Sequence, residues 1–183
     1  MKKFTIMLLL VAGCLGVLPV NTSQAMTRKP MERDKAIATL YNNFQYDKAE
    51  LGKYLDSGMS YMELKNICLH AYAAQEPLGE VVKLRSKYVW PRVKFLLGLT
   101  PEKFAERELD YKADRLERLF GINKNVGMKY LKMGFAAHQI KRASFLAAKC
   151  DKSLYDILLM KTRQQKWGDI AEQLGLPRDA CMK

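Results

Sequence analysis

Histidine occurs twice in this 183-residue chain, tryptophan twice, cysteine four times and proline six times. None of the cysteines stands in a Cys-x-x-Cys pair or at metal-ligand spacing, so neither a zinc ribbon nor a redox dithiol is written into the chain. His-Glu-x-x-His, Gly-x-Ser-x-Gly and a glycine-rich phosphate loop are all missing, which removes the short signatures of metalloproteases, serine hydrolases and nucleotide binders. No catalytic residue, metal site or cofactor is therefore expected. Alternating apolar-polar stretches and Asn-Gly or Asp-Gly hairpin turns are missing too, which excludes a hairpin-built β protein. Beyond residue 20 no apolar run approaches the ~20 residues of a membrane-spanning helix. Acidic residues are also few, 19 against 31 basic ones, and the formal charge is +12.

The N-terminus is built differently from the rest. Lys2 and Lys3 precede an apolar run from Phe4 to Leu18, Pro19 breaks it, and Ser23-Gln24-Ala25 offers small residues at the two positions a signal peptidase must accept. Residues 1–25 are expected to be a cleaved signal peptide and 26–32 a short flexible N-terminus. Export would place the chain outside the cytoplasm, in a periplasm or secreted. Val11-Ala12-Gly13-Cys14 also matches the pattern at which lipoprotein precursors are cut and acylated, so anchoring through Cys14 is the alternative. Cleavage after Ala25 leaves Cys68, Cys150 and Cys181, an odd count that permits one pair or none. Cys68 and Cys150 sit in apolar helical patterns and read as buried, inert thiols.

The rest of the chain is self-similar. At an offset of 76, Lys53-Tyr54-Leu55 falls on Lys129-Tyr130-Leu131, Gly58 on Gly134, Leu40 on Leu116 and Phe44 on Phe120. After one inserted residue the offset is 77; there Trp90 falls on Trp167, Val93 on Ile170 and Leu97-Gly98-Leu99 on Leu174-Gly175-Leu176. The expectation is an all-α fold of two tandem five-helix units, 33–100 and 101–177, stacked as a short helical-repeat bundle, with a tail at 178–183. The helices are expected over 33–44, 47–57, 60–75, 78–87 and 90–97, then 103–120, 123–133, 136–150, 154–165 and 167–174. The sixth, in the region 101–120, bridges the units on an inner stripe of Leu109, Ala113, Leu116 and Phe120. Capping boxes are expected at Ser60-x-x-Glu63 and Ser153-x-x-Asp156.

The segment from Trp167 to Leu176 resembles the opening of a helix-turn-helix, which would make the chain a DNA-binding protein. Its counterpart at Trp90 shows that the motif belongs to the repeated frame instead. Only Pro177 to Lys183 follow the second copy, and Glu102, Glu106, Glu108 and Asp110 follow the first, where acids would repel phosphate. Nucleic acid is thus disfavoured as a partner. His70 and His138 are not equivalent under the offset, and His70 reads as a core or boundary histidine.

The functional lead is a basic-aromatic grouping expected at the same place in both units: Lys83, Arg85, Lys87, Tyr88, Trp90, Arg92 and Lys94, then Lys161, Arg163, Lys166 and Trp167. Positive charge beside amphipathic rings suits a phospholipid headgroup, an anionic polymer or an acidic protein. The leading expectation is a non-enzymatic binding or adaptor protein of the bacterial cell envelope. An envelope hydrolase acting on murein or glycan in a groove between the units is the alternative, with Glu63 and Glu76 as its acids.

Overall fold

The computed structural model describes residues 31–162 and 165–181, and these form one compact unit. The signal-peptide and lipidation expectations at 1–25 and Cys14, and the expected binding residue Arg163, lie outside the described residues. Among the described residues the fold is all-helical, with ten α-helices and no strand. None of these helices is long and apolar enough to cross a membrane.

Five helices make the N-terminal half: α1 (Arg33–Phe44), α2 (Lys48–Asp56), α3 (Tyr61–Ala74), α4 (Leu78–Lys87) and α5 (Trp90–Leu96). The other five are α6 (Pro101–Phe120), α7 (Lys124–Lys132), α8 (Ala137–Ala147), α9 (Leu154–Thr162) and α10 (Trp167–Gln173). Short polar side chains start several of them, each accepting an otherwise orphan backbone N–H: Asp47, Ser60, Thr100, Asn123 and Ser153. Pro101 occupies the first turn of α6, where its missing N–H is not needed. Neither expected capping box closes. Ser60 and Ser153 accept their N–H, but the Glu63 carboxylate pairs with Arg85 at 2.6 Å and Asp156 accepts from the Ser153 hydroxyl at 2.6 Å.

Some helix bounds in the two halves correspond. Shifting α2 by 76 gives the bounds of α7, and shifting α5 by 77 gives those of α10. Gly58 and Gly134 close α2 and α7 at φ 91° and 90°, each followed by a backbone bond back to a tyrosine carbonyl, Tyr54 and Tyr130. Helices α1 and α6 both end on a left-handed residue, Gln45 at φ 61° and Gly121 at φ 66°. The step is lost at α8, which stops at Ala147 rather than running to 150. Cys150 is consequently half-buried instead of a core thiol, its Sγ 3.3 Å from the Leu146 carbonyl.

Apolar side chains form two clusters, one per half. Leu40, Leu51, Leu64, Ile67, Ala71, Val81 and Val93 fill the first; Leu131, Ile140, Leu146, Ile157, Leu158 and Ile170 fill the second. Helix α6 serves both, giving Tyr111 to the first cluster and Ala113 and Leu116 to the second. Tyr111 was not on the expected stripe, and Leu109 and Phe120 lie only at its border. Polar bonds fasten α6 to the N-terminal half: Arg118 donates to the carbonyls of Asn42 (2.9 Å) and Asn43 (2.7 Å), and Tyr72 donates to Asp110 at 2.9 Å. Against the second half, Gly127 lets α7 approach so closely that a Cβ there would sit 3.3 Å from Leu116 Cδ1.

Candidate functional site

Basic and aromatic residues of the N-terminal grouping meet at the corner between α4 and α5, where Phe104 and His70, the latter buried as the sequence suggests for a core or boundary histidine, join them. His70 of α3 is buried, 7% exposed, between two rings: Trp90 at 4.0 Å and Phe104 of α6 at 4.7 Å. A cation closes each end of this column, Arg85 over Trp90 at 5.2 Å and Lys94 over Phe104 at 4.5 Å. Nδ1 of His70 lies 2.7 Å from the Asn66 carbonyl, so in the neutral ring this nitrogen carries the proton and Nε2 is buried with no hydrogen-bond partner among the described residues. Burial pushes the His70 pKa below its ordinary value, against a smaller upward pull from the Asn66 carbonyl.

Not every cation of the grouping faces solvent freely. Arg85 pairs with Glu63 at 2.6 Å and donates to the Tyr88 carbonyl at 3.1 Å, tying α4 to the start of α5. Lys161 repeats the device, donating to the Gln165 carbonyl at 2.6 Å with its ammonium 5.8 Å from the Trp167 ring centre. These two cations stand at equivalent positions and hold the same turn, so much of what looks like a repeated ligand patch is joinery. Lys83 is spent on Glu80 at 2.6 Å. Lys87, Arg92 and Lys166 are exposed, and Arg92 lies over the Phe95 ring at 5.0 Å.

Beside the column lies an exposed apolar edge. Phe95 is 71% exposed and Val89 67%, and Tyr88 and Leu96 are exposed with them. An open cavity of about 550 Å³ runs below, lined by Pro91, Lys94, Phe95, Leu99, Pro101 and Phe104. Single exposed apolar residues are ordinary on a protein surface, but Tyr88, Val89, Phe95 and Leu96 exposed on one short stretch, with Lys87, Arg92 and Lys94 beside them in the chain, have the composition of a docking face. The signal that could have marked it is the triplet Phe95-Leu96-Leu97: α5 is too short to bury all three on one face.

The corner at Trp167 differs. Trp167 is buried, and the positions matching Arg92 and Phe95 are Asp169 and Glu172, both held by Arg178 at 2.7 and 2.8 Å. The two corners are therefore unlike in exposure, and acids stand in the second where α5 carries Arg92 and Phe95.

The acids of the alternative reading are separated in role. Glu63 is consumed by Arg85. Glu76 lines an open cavity of about 380 Å³ with Tyr72, Arg107 and Asp110. Burial alone would raise the Asp110 carboxyl, but hydrogen bonds from Lys124 and Tyr72 outweigh it and hold the group below the usual carboxylate range. Cys68, Cys150 and Cys181 are free thiols; burial pushes Cys68 up to about 12, which suppresses the reactive thiolate. Among the described residues no group of His, Cys, Asp and Glu is arranged to hold a metal ion. Compared with known proteins, the chain matches no family model, no curated protein and no solved structure.

Proposed function

We propose that the chain is an exported, non-enzymatic binding protein of the bacterial cell envelope, built from two copies of a five-helix unit, whose α4–α5 edge docks on an anionic phospholipid surface. The observation that carries the reading is the exposed group Val89, Phe95 and Leu96 with Lys87, Arg92 and Lys94 beside it in the chain. Rings and aliphatic side chains of this kind enter the headgroup boundary, while each basic residue near an anionic leaflet contributes about 1 kcal/mol. The positively charged, apolar opening with Ser23-Gln24-Ala25 supports export, and the shared helix bounds support the duplication. An acidic protein fits the charge but leaves the apolar group without a role.

Sedimentation of the chain with phosphatidylglycerol vesicles and with phosphatidylcholine vesicles tests this. At low salt the chain goes down with the first and not the second, and salt that shortens the Debye length to a few Å releases it. Failure to bind anionic vesicles removes the lipid reading; binding to an anionic wall polymer alone moves the partner from membrane to polymer. Mass measurement on the secreted product decides between cleavage after Ala25 and acylation at Cys14.

An envelope hydrolase is supported only by the cavity that Glu76 shares with Asp110. Asp110 is held ionised, the opposite of what a general acid requires. Murein degradation lost in Glu76→Gln would favour that reading. Against DNA binding, α10 is followed by a turn at Pro177–Cys181 in place of a reading helix.

A further inference from the structure

A second basic site lies away from α5, between α6 and α8. These helices flank a cavity of about 240 Å³ lined by Lys112, Arg115, Leu116, Phe120, His138 and Lys141. Its cations differ in how they are compensated. Lys112 has Glu108 one turn away, at 2.9 Å. Lys141 sits over the rings of Phe120 at 4.4 Å and Phe145 at 5.4 Å, which hold an ammonium in place without neutralising it. Arg115 has no carboxylate partner among the described residues: the ion pairs of α6 go to Lys112, Arg118 and Lys124. A guanidinium without a counter-ion in a cationic cavity is a ready donor to an acceptor from outside.

The N-terminal half shows that this charge is not inherited from the common frame. At the offset of 76, Lys112 becomes Ala36, Arg115 becomes Thr39 and His138 becomes Met62; only Lys141 keeps its charge, as Lys65. The caps differ as well. Ser60 accepts the Glu63 amide of α3 on its hydroxyl, whereas its counterpart Ala136 has no side-chain acceptor and the Gln139 amide bonds to the Ala136 carbonyl at 2.8 Å instead.

We propose that this cavity binds a phosphate-class oxyanion, with Arg115 as the planar two-point donor and Lys141 and His138 as flanking contacts. Guanidinium presents paired N–H groups that match two oxygens of one tetrahedral anion, and the aromatic floor leaves those oxygens little competing water. The anion is either free phosphate or the phosphomonoester of a lipid headgroup. The site does not rest on the α5 edge, and the two stand or fall separately.

Titration of the full chain with inorganic phosphate, followed by amide and arginine side-chain NMR, tests it. Saturable shifts are expected at Arg115 Nε–H and at the amides of Ala137 and His138, and not with chloride at equal ionic strength. R115Q should weaken phosphate binding at least tenfold; R115K, which keeps the charge and loses the fork, should weaken it several-fold with an unchanged melting curve. Arg92→Asp on α5 should leave phosphate affinity unaltered. Shifts that track ionic strength alone, or R115K binding phosphate as well as the parent, would overturn the proposal. Sedimentation with phosphatidic acid vesicles, in the Arg92→Asp, Phe95→Glu background that removes the α5 edge, then identifies the source: loss of binding on adding R115K assigns the headgroup, and loss confined to inorganic phosphate assigns the soluble anion.

Discussion

Helices α5 and α10 begin with the same tryptophan and end on the same Leu-Gly-Leu step, yet one presents a surface and the other is closed over. In α10, the segment after Pro177 folds back: Arg178 grips Asp169 and Glu172, Ala180 and Cys181 enter the core, and Lys149 donates to the Ala180 carbonyl at 3.2 Å. The approach is close enough that a Cβ at Gly168 would lie 3.3 Å from Arg178 Nε. In α5, Gly168 is replaced by Pro91, the two acids by Arg92 and Phe95, and the following chain departs as α6. Shared helices supply stability in both halves, and what covers them decides which half keeps a free face.

The largest test of that contrast is in the core. Trp167→Ala should cost about 3–5 kcal/mol, the usual range for a buried tryptophan, and Trp90→Ala less because its ring is only partly buried. Urea denaturation of the two variants measures the difference; equal losses would mean that the corners are alike. Next, giving α5 the residues of α10, by Arg92→Asp with Phe95→Glu, should lower binding to anionic vesicles at least tenfold, an effect of about 1.4 kcal/mol or more. Both side chains are exposed, so melting should stay within a degree or two of the parent.

A smaller effect separates the ends of α1 and α6. Gln45 holds a left-handed conformation that Gly121 adopts at the matching place. Gln45→Gly should stabilise by up to about 1 kcal/mol and Gly121→Ala should destabilise by about 1–2 kcal/mol, read as opposite shifts in urea midpoint. The smallest concerns His70. Because burial lowers its pKa, the unfolded chain takes up the proton first as pH falls. Its contribution is complete above its ordinary 6.5, declines below that, and levels off once the folded ring also protonates. Urea midpoints between about pH 7 and 5 should carry this slope, and His70→Leu, the residue at the matching position 146, should reduce it.

Much of the frame was legible before any coordinates. Ser60, Thr100 and Ser153 start helices for a reason local to four residues, and Gly58, Gly134 and Gly121 end them by taking a conformation that other residues avoid. The candidate site was legible only in part. Arg85 and Trp90 were found by composition, but Phe104 and His70 join them from α6 and α3, at separations no local pattern reports. Phe95 passed for one more apolar helix residue, and Arg115 for one more cation on a solvated helix.

The sequence alone determined the all-helical class, the near placement of the helix ends and the step of 76 residues, because each follows from hydrogen bonds and apolar spacing within a few residues of chain. Which charges are free and which rings are wet was settled only by tertiary structure. Glu63 reaches Arg85 from another helix, and Arg178 covers α10 from beyond its end. Exposure is a property of what lies opposite a side chain, and here the covering residue comes from elsewhere in the chain.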